Sequence, residues 1–214
     1  MLNNLIRLVV LSIVLCLYPI EIKAQKKAWY APSKIGFLYG YGEQGGNFLN
    51  DKDYHYTTNL IKVQFYYPLK SGKIDLELVF EPTIGFATHQ LLNEHFVKPT
   101  EPNYLALREE FTQKKNLNEY ILNTNLIIRK YLYKSHSAYI LLGVGPMIIN
   151  ERTERLAKGF SFTEVISVGL TTKVFQDLYF DIRGGYRHLS NADLKLPNSG
   201  INTAEINFGF HFKF

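Results

Sequence analysis

Residues 187–202 read RHLSNADLKLPNSGIN, and in that run His188 and Ser190 stand two positions apart. On a β-strand alternate residues share a face, so this spacing sets an imidazole beside a hydroxyl. The ring is then close enough to take the hydroxyl's proton, which is the elementary requirement for a serine to act as a nucleophile. Taken alone, an i, i+2 His/Ser pair is a weak signal. Two polar residues at the rim of a sheet would give the same pattern.

Other chemistry finds little support in the residues. His55, His89, His95, His136 and His211 have no metal-ligand spacing among themselves, so the expectation is no metal and no cofactor. Gly40-Tyr41-Gly42 and Gly143-Val144-Gly145 fall in strand-like runs and open no helix, which argues against a nucleotide site. The single cysteine, Cys16, lies in an apolar leader and follows Leu15, where lipid attachment would want a small residue. Residues 1–24 have the order of a cleaved signal peptide, with Arg7, an apolar run from Leu8 to Ile20, then Ile22-Lys23-Ala24. That run falls short of the roughly 20 apolar residues a spanning helix needs. Loss of Arg7, Lys23 and Glu21 with the leader lowers the formal charge from +5 to +4. The remaining charges are scattered in both signs, so no basic stripe exists to bind nucleic acid.

A strand must hold His188 and Ser190, and the chain supplies many. The chain has 15 Tyr and 15 Phe against one Trp and two Met, a composition that favours pleated surfaces. Beyond the leader the apolar period is two almost throughout. Ile74, Leu76, Leu78, Phe80, Pro82, Ile84 and Phe86 alternate with Asp75, Glu77, Val79, Glu81, Thr83 and Gly85. Leu178, Phe180, Ile182, Gly184, Tyr186 and His188 alternate with Tyr179, Asp181, Arg183, Gly185 and Arg187. Ala204, Ile206, Phe208, Phe210, Phe212 and Phe214 alternate with Thr203, Glu205, Asn207, Gly209, His211 and Lys213. About eight such runs occur, near 34–43, 58–69, 73–88, 118–133, 138–149, 160–174, 178–189 and 201–214.

Their connections alternate between tight turns at 70–72, 134–137 and 176–177 and longer polar links near 44–57, 89–117, 150–159 and 190–200. That layout predicts an all-β fold, an eight-stranded antiparallel up-and-down transmembrane β-barrel spanning 25–214. Strands of about ten residues or more are long enough to cross a bilayer when tilted. Periodicity does not say which wall faces out, and a soluble lipocalin-like barrel with an apolar cavity is the competing arrangement. Asp75, Glu77, Glu81, Arg129, Asp181, Arg183, Arg187 and Glu205 form a mixed-sign wall that can pair within a narrow lumen, whereas the oily wall carries almost no charge. His188 then belongs to the oily, outward row. The long link at 90–117, with Glu109, Glu110, Lys114 and Lys115, reads as a solvated loop with room for a short helix, or as a contact for lipopolysaccharide.

The 187–202 segment resembles the site region of the lipid A 3-O-deacylase (PagL) family of outer-membrane barrels. The shared elements are His188, Ser190, Asn191 and Ala192, then Lys195, Pro197, Asn198, Gly200 and Ile201. They fall between the last two strands, as in the family, and the terminal Phe214 resembles the signal such barrels present to the barrel assembly machinery. The resemblance implies an outer-membrane serine esterase that acts on the ester-linked acyl chains of lipid A, the lipid anchor of lipopolysaccharide. It implies Ser190 as nucleophile and His188 as general base, with no cofactor and no metal. Backbone N–H groups near Ala192 and Asp193 would hold the oxyanion, with Asn191 positioning the turn.

The sequence departs from the family pattern twice. Where the family has a Glu after Gly-Ile, this chain has Asn202, which is expected to orient the imidazole in its place. The nearest carboxylate, Glu205, has the parity of the lumen with Asn207 and His211, and only a β-bulge would bring it round. Asp193 stands where the family usually has Gly. A non-catalytic barrel of the same family, kept for structure or binding, is the alternative reading.

Overall fold

The computed structural model describes residues 31–44 and 52–214. The expected leader at 1–24 lies outside them, as does part of the first long link. Eight antiparallel strands close on themselves in sequence order. They are β1 (Lys34–Gln44), β2 (Tyr54–Lys70), β3 (Asp75–Leu91), β4 (Lys115–Tyr133), β5 (His136–Ile149), β6 (Gly159–Phe175), β7 (Leu178–Ser190) and β8 (Ile201–Lys213). Closure is made by β1 on β8, in continuous register from Lys34 opposite Lys213 to Glu43 opposite Ala204. The predicted up-and-down barrel is therefore present, and β2, β3 and β4 run several residues further toward the long loops than the apolar pattern reached.

Closing a sheet removes its edges, and the alternation then decides which side chains face in. Phe37, Ile84, Leu122, Ile140, Val168, Ile182 and Phe208 all point outward and are exposed. Glu77, Glu81, Arg129, Arg183, Arg187 and Glu205 point inward and pair. Arg183 bonds both oxygens of Glu81 at 2.7 and 2.8 Å, Lys62 reaches Glu205 at 3.1 Å, and Arg129 meets Glu77 at 2.9 Å. A charge in so narrow a lumen is tolerable because it is paired. The lipocalin arrangement, with an apolar cavity inside, is thus reversed here.

The inner wall is not polar throughout. At the long-loop end Tyr54, Tyr56, Leu117, Met147, Leu189 and Ile201 form a buried apolar plug. At the opposite rim the ladders slip near all three tight turns, between Pro68 and Lys70, Tyr131 and Tyr133, and Lys173 and Phe175. Such irregularities at a barrel rim let short turns close on twisted strands. The loop between β3 and β4 contains a 3-10 turn, Glu94–Phe96, and one helix, α1 (Tyr104–Thr112). Phe111 of α1 packs with Leu91 and Val97, and Arg108 donates to the Val97 carbonyl at 2.9 Å.

Candidate active site

His188 and Ser190 lie at the long-loop end of β7, on the outward row with the exposed Ile182 and Tyr186. Both are half-buried. Between them Leu189 points in and is fully buried in the apolar plug. Just before them Arg187, also pointing in, bonds Glu119 of β4 at 2.6 Å and meets Glu205 of β8 at 2.7 Å. The strand is thereby pinned from inside, and the two polar side chains are left outside.

Asn202 stands directly opposite His188 in the β7–β8 ladder. Its Oδ1 lies 2.6 Å from His188 Nδ1. An amide oxygen only accepts, so Nδ1 is the donor in this contact, and the neutral ring held this way has its lone pair on Nε2, the form a general base needs. Asn202 is itself held, its backbone N–H donating to Gln44 Oε1 at 2.7 Å across the closure of the barrel. The ladder from Leu178 to Leu189 runs without a slip, so no bulge turns Glu205 outward. Among the described residues the ring's hydrogen bond is to Asn202, and none joins it to the Ser190 hydroxyl. Ser190 faces Phe162 across the β6–β7 ladder.

The loop from β7 to β8 begins with a tight turn in which Ala192 (φ 51) and Asp193 (φ 59) both adopt left-handed backbone. Asn191 is buried and holds this turn: its backbone N–H donates to Asn198 Oδ1 at 2.7 Å and its amide donates to the Lys195 carbonyl at 2.6 Å. That leaves Asn191's own N–H engaged, and the side chain acts as a turn former. Asp193 accepts from Asn198 Nδ2 at 3.0 Å, so its carboxylate is turned into the loop. The loop rests on the one between β5 and β6, where Ala157 donates to the Pro197 carbonyl at 2.9 Å and Ser199 donates to the Arg155 carbonyl at 2.8 Å.

Three features of the site escape a reading of residue types. Gly200, with φ 75, lies against the imidazole, and a β-carbon there would stand 2.7 Å from His188 Cε1. Its place just before β8 was a visible sign, but only of a turn. Gln44 reaches Asn202 from 158 positions away in sequence. Glu164 of β6 stands directly opposite His188 on the outward face. A depression of about 360 Å³ on the outer wall is bounded by Glu164, His188, Tyr186, Ile166 and Leu142. A second, of about 270 Å³, lies on the other side of β7 between Tyr41, Glu43, Gly184, Ala204 and Ile206.

A family model described as lipid A 3-O-deacylase (PagL) matches residues 104–211, just over half of the chain. The crystal structure of the outer membrane enzyme PagL superposes with a TM-score of 0.55 at 12% identity, covering 85% of this chain and 99% of that one. Neisserial surface protein A is similar with a TM-score of 0.44 at 11% identity, over 85% of this chain and 96% of that one. The outer membrane protein Ail of Yersinia pestis gives 0.40 at 12% identity, over 84% and 99%. No curated protein sequence matches the chain.

Proposed function

Because the chain belongs to the lipid A 3-O-deacylase (PagL) family, we propose that it is an outer-membrane esterase that removes an ester-linked acyl chain from lipid A. The observation that carries this reading is the outward projection of His188 and Ser190 with the imidazole fixed by Asn202. A site mounted on the outer wall suits a substrate that never leaves the bilayer. The two outer depressions beside β7 give acyl chains somewhere to lie.

In this scheme Ser190 Oγ attacks the acyl carbonyl while His188 Nε2 takes its proton. The oxyanion is held in this scheme by the N–H groups of Ala192 and Asp193, which belong to the turn that follows the serine. Collapse breaks the ester bond, and the imidazolium returns its proton to the sugar hydroxyl that leaves. Water, deprotonated by the same ring, then releases the fatty acid from Ser190. Asn202 keeps the tautomer but carries no charge of its own. The reading further assigns 1–24 to a cleaved signal peptide and takes the barrel assembly machinery as a partner.

Mass spectrometry of lipid A from cells making the intact protein or Ser190→Ala tests the proposal. Loss of one acyl chain only with the intact serine is the expected result. Identical spectra would instead favour a non-catalytic barrel, the reading that Asn202 in place of a carboxylate supports.

A further inference from the structure

We propose that Glu164 is the carboxylate of this site, a positioning residue that acts on His188 from the flank opposite Asn202. The inference rests on the esterase reading above. Glu164 pairs with His188 in the β6–β7 ladder as Asn202 does in the β7–β8 ladder, so the three residues form one row across three adjacent strands. All three take the outward parity of their strands. Residues directly opposed on one face of an antiparallel pair have β-carbons about 4.5–5.5 Å apart, within reach of one another's side chains. Glu164 and His188 also line the same outer depression.

Glu164 is a carboxylate on an otherwise apolar stretch of the outer wall. Its neighbours on the outward row of β6 are Phe162 and the exposed Ile166, and a carboxylate on the oily wall of a barrel is disfavoured. No ion pair with a described lysine or arginine accounts for it; the carboxylates that are so paired are those of the lumen and the loops. The chemistry at His188 supplies the missing reason. When the ring takes the serine's proton it becomes a cation in a poorly solvated place, and Asn202 can align that cation but not neutralise it. Asn202 takes Nδ1 from the β8 side, and Glu164 stands across the ladder on the β6 side. The charge that the family's glutamate would bring from β8 arrives here from β6. The sharing of roles is plain in the row: the amide orients, the carboxylate stabilises.

The test uses the purified full barrel in detergent micelles, with initial rates on lipid A for the intact protein, Glu164→Gln, Glu164→Asp, and Glu164→Gln combined with Asn202→Glu. Heat-modifiable migration on a gel reports that each variant is folded. Glu164→Gln is expected to lower kcat roughly 10- to 100-fold with KM little changed. Glu164→Asp keeps the charge and should retain more of the rate. Asn202→Glu should restore kcat in the Glu164→Gln background, which a merely structural role for Glu164 would not allow. Unchanged kcat in Glu164→Gln, a loss confined to KM, or no restoration by Asn202→Glu overturns the inference while Ser190-dependent turnover still stands. Turnover that survives Ser190→Ala overturns the esterase reading, and this inference with it.

Discussion

Asn202 Oδ1 sits 2.6 Å from His188 Nδ1 across the last ladder of the barrel, and Gln44 fixes Asn202 in turn through its backbone N–H. The contact decides which ring nitrogen is free to act as a base. Asn202→Ala removes it without touching the lumen. Its kcat on lipid A should fall about 10- to 100-fold, more through a misplaced tautomer than through weakened binding. Steady-state rates for the folded variant check this; an unchanged kcat would mean that the contact is incidental.

Gly200 is the other constraint on the ring. Its φ of 75 is one that L side chains rarely adopt, and the imidazole fills the space a side chain would need. Gly200→Ala must therefore either push the ring off Asn202 or shift the start of β8. It should depress turnover strongly while the barrel remains heat-modifiable, since the backbone strain alone is only about 1–3 kcal/mol. Activity near that of the intact protein would show that the ring has slack.

The lumen predicts a stability effect separable from activity. Glu81 is buried and partners both Arg183 and Lys62. Glu81→Ala leaves two buried cations short of a carboxylate, and breaking such a group costs about 3–5 kcal/mol. The urea midpoint for unfolding from detergent should fall accordingly, with kcat per folded molecule preserved. A midpoint equal to that of the intact protein would contradict the pairing.

Outside the strands, α1 is tied to its neighbours by Glu110, which accepts from Arg152 Nε at 3.1 Å and from Lys115 at 2.8 Å. The hydrogen bonds from Arg152, then the one from Lys115, hold its carboxyl down at about 2 against an ordinary 4.5. A depressed value means the tether is in full force above the ordinary carboxyl range and is lost as pH falls through about 2. The carbon resonance of the Glu110 carboxyl should titrate near the lower value, and move toward 4.5 in Arg152→Ala. Titration near 4.5 in the intact protein would remove the tether.

Much of this was written in the chain as period-two alternation. A wall facing lipid and a wall facing paired charges impose opposite demands on neighbouring residues, so strand, face and the outward direction of His188 could be counted off directly. Register could not. Glu164 stands opposite His188 only because the ladder slips by one residue between Lys173 and Phe175, and nothing in the residue types announces that slip. Gln44 meets Asn202 because the first and last strands close the barrel, a contact of topology rather than of spacing. The inward apolar plug was hidden for a related reason: Leu189 and Ile201 continue rows that are charged further along. Helix α1 offered only the space for a helix, since its polar and apolar residues make no clear stripe.

The proposed esterase depends on Ser190 as a nucleophile activated by His188 on the outer wall. Its most direct test is covalent labelling of the folded barrel with a long-chain fluorophosphonate, followed by peptide mass spectrometry. A single adduct on the peptide that carries Ser190, absent in His188→Ala, is the predicted result. A folded protein that takes no label, or takes it on another residue, would contradict the claim.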